Sequence, residues 1–182
     1  MSVSAPCSLS LALPPGFHVL AAHDSAVVDP LELDDDRVGG AWLNDVRAST
    51  SAAGALLCAL HTESWQGEIA QASLVVTARP FADDPALLLA AMRLHALQST
   101  STSGQVCLLQ LPLGPAVGTV DVVVVGDDRS RTGLVEVQVI AASSSTVVQL
   151  TLGTPTLPLL AAYAAMTADI AAQLSLGLEE DA

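Results

Sequence analysis

Two periods run through the chain and divide it into strands and helices. Val135, Val137 and Val139 alternate with Glu136 and Gln138, and Val148, Leu150 and Leu152 alternate with Gln149 and Thr151. Period-two alternation buries one face of a strand and leaves the other wet. Two strands joined through residues 141–145 are therefore predicted. Gly153, Thr154, Pro155 and Pro158 then turn the chain. Beyond them Leu159, Tyr163, Met166, Ile170 and Leu174 recur at three- and four-residue steps, which gives a helix within 157–176 a single apolar stripe. Residues 134–176 are the clearest structural unit in the sequence.

The same rules carry through the rest of the chain. Ser8 to Leu13 alternates, Pro14-Pro15-Gly16 interrupts it, and Phe17 to Ala21 resumes an extended pattern, so a first hairpin or a pair of short strands is expected. Asp24 to Pro30 reads as loop. Leu33, Arg37, Trp42, Leu43 and Val46 fit an amphipathic helix over about 34–48, weakened by Gly39-Gly40 at roughly 1 kcal/mol per glycine. Residues 55–62 fit helix or strand by periodicity. Strand is favoured because Ser64-Trp65-Gln66-Gly67 reads as a hairpin turn and Ala72, Leu74, Val76 and Ala78 then alternate with polar partners. Asp83 or Asp84 followed by Pro85 marks a helix start, with Leu88, Met92 and His95 on one face and Leu87, Ala91 and Leu94 adjoining. Residues 106–111 and 118–125 are further strands, linked through 112–115. The Val122–Val125 run is apolar on both sides and predicts a central strand covered on both faces. The fold class that results is α+β: a mostly antiparallel, meandering sheet of about six to eight strands with two or three helices packed on it. It is expected as one domain over 1–178 with an acidic tail at 179–182.

Composition narrows the class. Of 182 residues, 51% are hydrophobic and 14% charged, which excludes a disordered chain. No run reaches the about 18 uncharged apolar residues that a membrane helix needs. The net charge is −13, and all six cations are arginine. Such a chain repels phosphate, so nucleic acid and anionic membrane are not expected partners. Cys7, Cys58 and Cys107 are too far apart for a zinc site. Cys58 and Cys107 lie in apolar runs and are expected as buried thiols in a reducing interior. With no basic region at the N-terminus, the expected location is cytoplasmic.

The strand Val148 to Gly153, its Thr154-Pro155 corner and the following helix ending Ile170-Ala171-Ala172-Gln173-Leu174 resemble a C-terminal signature of small uncharacterised actinobacterial proteins. The order of elements is similar to the PsbP/Mog-like fold, and Pro14-Pro15-Gly16-Phe17 resembles the turn after the first strand there. This resemblance implies an antiparallel sheet flanked by helices, acting as a binding or accessory module without catalytic residues. It transfers no functional residue.

The residues themselves point away from catalysis. There is no nucleophile elbow, P-loop or dinucleotide fingerprint. His18, His61 and His95 fall on structural or surface positions, and His23-Asp24 adjacency does not make a dyad. Glu32 with Asp34, Asp35 and Asp36 lacks calcium-loop spacing and reads as a solvated helix start. No cofactor or metal is expected. The expected function is a non-enzymatic module working through protein contact, with an unknown protein or a second copy as partner and Trp42 and Trp65 as contact candidates. The alternative is a carrier for a small apolar ligand lined by Leu88, Met92 and Tyr163. An enzyme ranks third.

Overall fold

The computed structural model describes residues 8–22, 26–27, 54–125 and 130–177. In chain order these form β1 (Ser8–Ser10), β2 (Phe17–Ala22), β3 (Ala26–Val27), β4 (Leu57–Trp65), β5 (Glu68–Pro80), α1 (Pro85–Ser99), β6 (Gln105–Leu111), β7 (Gly114–Val125), β8 (Ser130–Ala141), β9 (Thr146–Thr154), α2 (Leu160–Ala172) and β10 (Ser175–Gly177). The main sheet has seven strands in the order β2-β4-β5-β9-β8-β7-β6, antiparallel throughout. A three-stranded sheet, β10-β1-β3, stands beside it. The α+β expectation holds. The predicted helix at 34–48, Trp42 and the acidic stretches 32–36 and 179–182 lie outside the described residues. Among the described residues no helix is long and apolar enough to cross a membrane.

Local chemistry explains the corners. The β4–β5 hairpin closes between Trp65 and Glu68, with Gln66 and Gly67 at φ 52° and 82°. Two consecutive positive φ values match the right-handed strand twist, which is why Gly sits there. At the β9–α2 corner, the buried Thr154 hydroxyl donates to the Gln71 carbonyl at 2.7 Å and accepts from the Thr156 N–H at 3.0 Å. The Thr-Pro corner is thus pinned to β5 at the strand's end. A 3₁₀ turn, Leu157–Leu159, leads into α2, and the helix ends at Ala172. Residues 175–177 leave the helix to pair with β1, so the apolar stripe predicted within 157–176 belongs to a shorter helix.

The structure decides one open alternative about strands and changes two expectations. Of the two alternatives around Pro14-Pro15-Gly16, the pair of short strands holds and the hairpin does not, since β1 and β2 enter different sheets. β7 begins at Gly114, and only Pro112-Leu113 separates it from β6; Pro115 is tolerated near the strand start, where a missing N–H costs little. The Val122–Val125 run is not central. β7 is next to the sheet edge, and Val124 is 63% exposed. Branched residues suit any pleated strand, buried or not. The central strands are β5, β9 and β8, whose alternating residues separate two layers.

The layers follow from the register. Val135, Val137 and Val139 of β8, Val148, Leu150 and Leu152 of β9, and Ala72, Leu74 and Val76 of β5 are all buried on one face, beneath Tyr163, Ile170 and Ala171 of α2. Their neighbours Ile140 and Val147 point the other way and pack beneath Met92 and Ala96 of α1. The α2 side holds the large core; the α1 side holds a small one.

Candidate binding surface

α1 begins where its sequence dictates. Asp84 accepts from the N–H groups of Ala86 at 2.7 Å and Leu87 at 3.4 Å, and Pro85 occupies the first turn. These interactions satisfy donors that the first helical turn leaves without partners. The helix lies over β6 and β7. Met92 and Ala96 are buried beneath it, with Leu88 and Leu89 partly buried beside them. At its C-terminal end Thr100 N–H bonds to the Ala96 carbonyl at 2.9 Å, and Ser101 then reaches down to β7. Its N–H donates to Asp121 Oδ2 at 2.7 Å, its hydroxyl donates to Oδ1, and Val122 N–H also donates to Oδ1 at 2.8 Å. Burial pushes the Asp121 carboxyl up, but these hydrogen bonds outweigh it and hold the group below the ordinary range. The result is a clamp that fixes the end of α1 to the sheet.

Between α1 and the sheet runs an open groove of about 530 Å³. Leu88, Ala91 and Met92 form its apolar wall, while Thr119, Glu136, Gln138 and Gln149 form a polar floor. Gln149 donates to Glu136 Oε1 and to the Thr151 hydroxyl, each at 3.2 Å. The floor is wet because the period-two pattern that fills the α2 core must place the intervening residues here.

The outer side of α1 differs from both. Leu87, Leu94 and Leu97 are 70%, 58% and 56% exposed, and Leu108 on neighbouring β6 is 50% exposed. β6 is the last strand of the main sheet, so one of its edges has no strand partner among the described residues. Sequence reasoning set Leu87 and Leu94 beside the buried face of α1; they lie in solvent. The signal was present: the helix is apolar on nearly every side, with Arg93 its one charged residue, and a helix on a sheet edge can bury only one stripe.

The proposed ligand-lining residues are not brought together. Leu88 and Met92 border the groove, whereas Tyr163 is buried in the core on the opposite face of the sheet. Trp65 is half-buried at the β4–β5 turn, far along the sheet from β6. His95 is exposed on α1, and His61 is 3% exposed. His61 Nδ1 lies 3.3 Å from the Tyr163 hydroxyl, and its ring meets Phe17 and Tyr163 at centroid distances of 4.8 and 5.5 Å. The Pro15 carbonyl accepts from the ring on the side of the Pro15–Gly16 turn. Burial lowers the His61 pKa, with nearby Glu63 opposing and His18 assisting, so the neutral ring is favoured. Burial, helped by Glu63, pushes Tyr163 up to about 12. Gly16 is required beside the ring: at φ +92° a Cβ there would come 2.9 Å from His61 Nε2. This pair is sealed from solvent and acts as a polar rivet within the core.

These features define an α+β protein whose antiparallel sheet is helix-covered on both faces. Among solved structures, LpqN of Mycobacterium tuberculosis, described as involved in cell envelope biogenesis, shares the arrangement: it superposes with a TM-score of 0.52 over 96% of this chain and 86% of that one, at 11% identity. At that identity the likeness concerns the fold alone. No protein-family model and no curated protein matches the chain.

Proposed function

We propose that this chain is a non-enzymatic binding or accessory module of the PsbP/Mog-like type and that it works through protein contact. The observation that carries the reading is the stripe of exposed leucines along α1, Leu87, Leu94 and Leu97, with Leu108 exposed on neighbouring β6. Apolar side chains gathered on one exposed side mark an interaction surface more often than scattered ones do. The role of LpqN in cell envelope biogenesis is compatible with an accessory function of this kind. Cys58 is buried as expected, but Cys107, also expected buried, is exposed because it lies on the edge strand β6. A cytoplasmic setting is proposed from the sequence alone, and cell fractionation distinguishes it from the envelope.

A second reading rests on the groove. Its volume is in the range of small-molecule sites, and a ligand with one apolar side would lie against Leu88 and Met92 with its polar side on Glu136 and Gln149. Native mass spectrometry of the gently purified chain tests both. A protein assembly that Leu97→Glu dissolves is the expected result. A single chain carrying a small-molecule mass overturns the protein-contact reading and favours the groove.

A further inference from the structure

We infer that the protein partner at this surface is a second copy of the same chain, joined edge to edge through β6. The inference rests on the protein-contact reading and specifies its occupant. An open strand edge is normally blunted by charge, proline, a bulge or a covering element. β6 reads Gln-Val-Cys-Leu-Leu-Gln-Leu, without charge or proline, and it runs beside β7 in unbroken register from Gln105 to Leu111. Among the described residues its outer edge is therefore a neutral, unpaired template for another strand.

Charge selects the occupant. The chain carries −13 overall, yet residues 85–111 contain no carboxylate and one cation, Arg93. Two copies of so acidic a chain repel each other over most of their surfaces. They can approach through this segment without bringing acid against acid. Symmetry agrees: a two-fold contact must be self-complementary, and an uncharged antiparallel strand satisfies its own copy. With the axis at Leu108, the middle residue of β6, Gln105 faces Leu111 and Cys107 faces Leu109 of the other copy. Leu108 meets its own counterpart on the α1 side of the sheet. The two α1 helices then flank the seam. Of the exposed α1 residues, Ala90 and Leu97 lie on the side toward β6, away from the groove that Leu88, Ala91 and His95 border.

Sedimentation equilibrium on the intact chain should give twice the single-chain mass. Leu97→Glu and Leu108→Arg should each raise the dissociation constant by about tenfold or more, as hot-spot changes do. Both sites are exposed, so circular dichroism should show the fold retained. Ile69→Glu, at a 60% exposed site on β5, should leave the dimer unchanged. Leu108→Cys should form a disulfide-linked dimer on mild oxidation, because directly opposed residues of antiparallel strands lie about 4.5–5.5 Å apart. A monomer at every concentration up to about 100 μM, a range in which even weak dimers form, overturns the inference. So does a dimer indifferent to Leu97→Glu that gives no crosslink at 108. If native mass spectrometry finds only a different polypeptide bound, and Leu97→Glu releases it, self-pairing fails while the protein-contact reading stands. If nothing binds, both fail.

Discussion

The two faces of the main sheet share the same strands and carry opposite chemistry. On the α2 face, nine side chains from β5, β8 and β9 are buried under Tyr163 and Ile170. On the α1 face the residues between them are Glu136, Gln138, Gln149 and Thr151, half-buried or facing a groove. There, among the described residues, the helix buries Val117, Ile140 and Val147 of the sheet. One face stabilises the fold, and the other presents surface. The same alternation produces both, since a strand that fills a core at every second residue must show the remainder to whatever lies behind it.

The largest expected effect separates the faces by truncation. Leu150→Ala on the α2 face removes a fully buried side chain from the middle of the larger core. It should cost about 2–5 kcal/mol, the range for buried leucine. Met92→Ala on the α1 face deletes a side chain next to an open groove, so water and neighbouring side chains can fill the space; the cost should fall at or below about 2 kcal/mol. Urea denaturation of both variants provides the measurement. Equal losses would show that the α1 face contributes to stability as much as the core and would break the contrast.

A smaller effect probes the rivet on the α2 side. Tyr163 is the only tyrosine, and the chain has no lysine, so between pH 10 and 12 Tyr163 is the one side chain of those two types that titrates. Burial, with Glu63 nearby, pushes its folded pKa up to about 12, above the 10.0 of an exposed phenol. The neutral phenol thus contributes stability below pH 10, and that contribution is lost as pH rises from 10 to about 12. His61 has the opposite sign. Its folded pKa lies below 6.5, so the unfolded chain binds the proton first, and stability falls as pH drops beneath 6.5 until the folded value is passed. Tyr163→Phe should abolish the alkaline loss and keep the acid one. It should also cost about 1–3 kcal/mol at neutral pH, because His61 Nδ1 loses its partner in a buried site. Stability measured by urea titration across pH 5–12 decides this, and an alkaline limb that persists in Tyr163→Phe would assign it elsewhere.

The legible parts of the fold are those governed by one local rule. The strands at 135–139 and 148–152, the β4–β5 hairpin, the Asp84-Pro85 start of α1 and the stripe of α2 follow from alternation, turn chemistry and capping. Strand order was not legible in the same way. Val122–Val125 reads as central because it is apolar, but a strand's place in a sheet depends on which neighbours pair with it, and β7 pairs with the edge strand β6. The division between faces was hidden for a related reason. Periodicity assigns Met92 and Tyr163 to apolar stripes without saying which side of the sheet each stripe covers, so the pattern alone is satisfied by a shared cavity. The exposed leucines of α1 were obscured by their own abundance, since a helix apolar all round does not reveal which stripe is buried.

The smallest effect sharpens what holds α1 in place. If the α1 face is built for contact, the helix should be fixed chiefly by its ends, because few buried side chains hold its middle. Asp84 caps the N-terminal end through Ala86 and Leu87, and the Ser101–Asp121 contacts secure the C-terminal end. Asp84→Ala should cost about 1 kcal/mol, as for other helix N-caps. The effect should be local: amide exchange in the first turn of α1 should accelerate, while protection in β8 and β9 keeps its global value. Asp84→Asn should restore most of the loss, because a neutral oxygen still accepts both N–H bonds. If Asp84→Ala instead lowers protection evenly across the sheet, α1 unfolds only with the α2 core. The two faces would then be a single cooperative unit, and the leucines of α1 would be held in place by the whole fold.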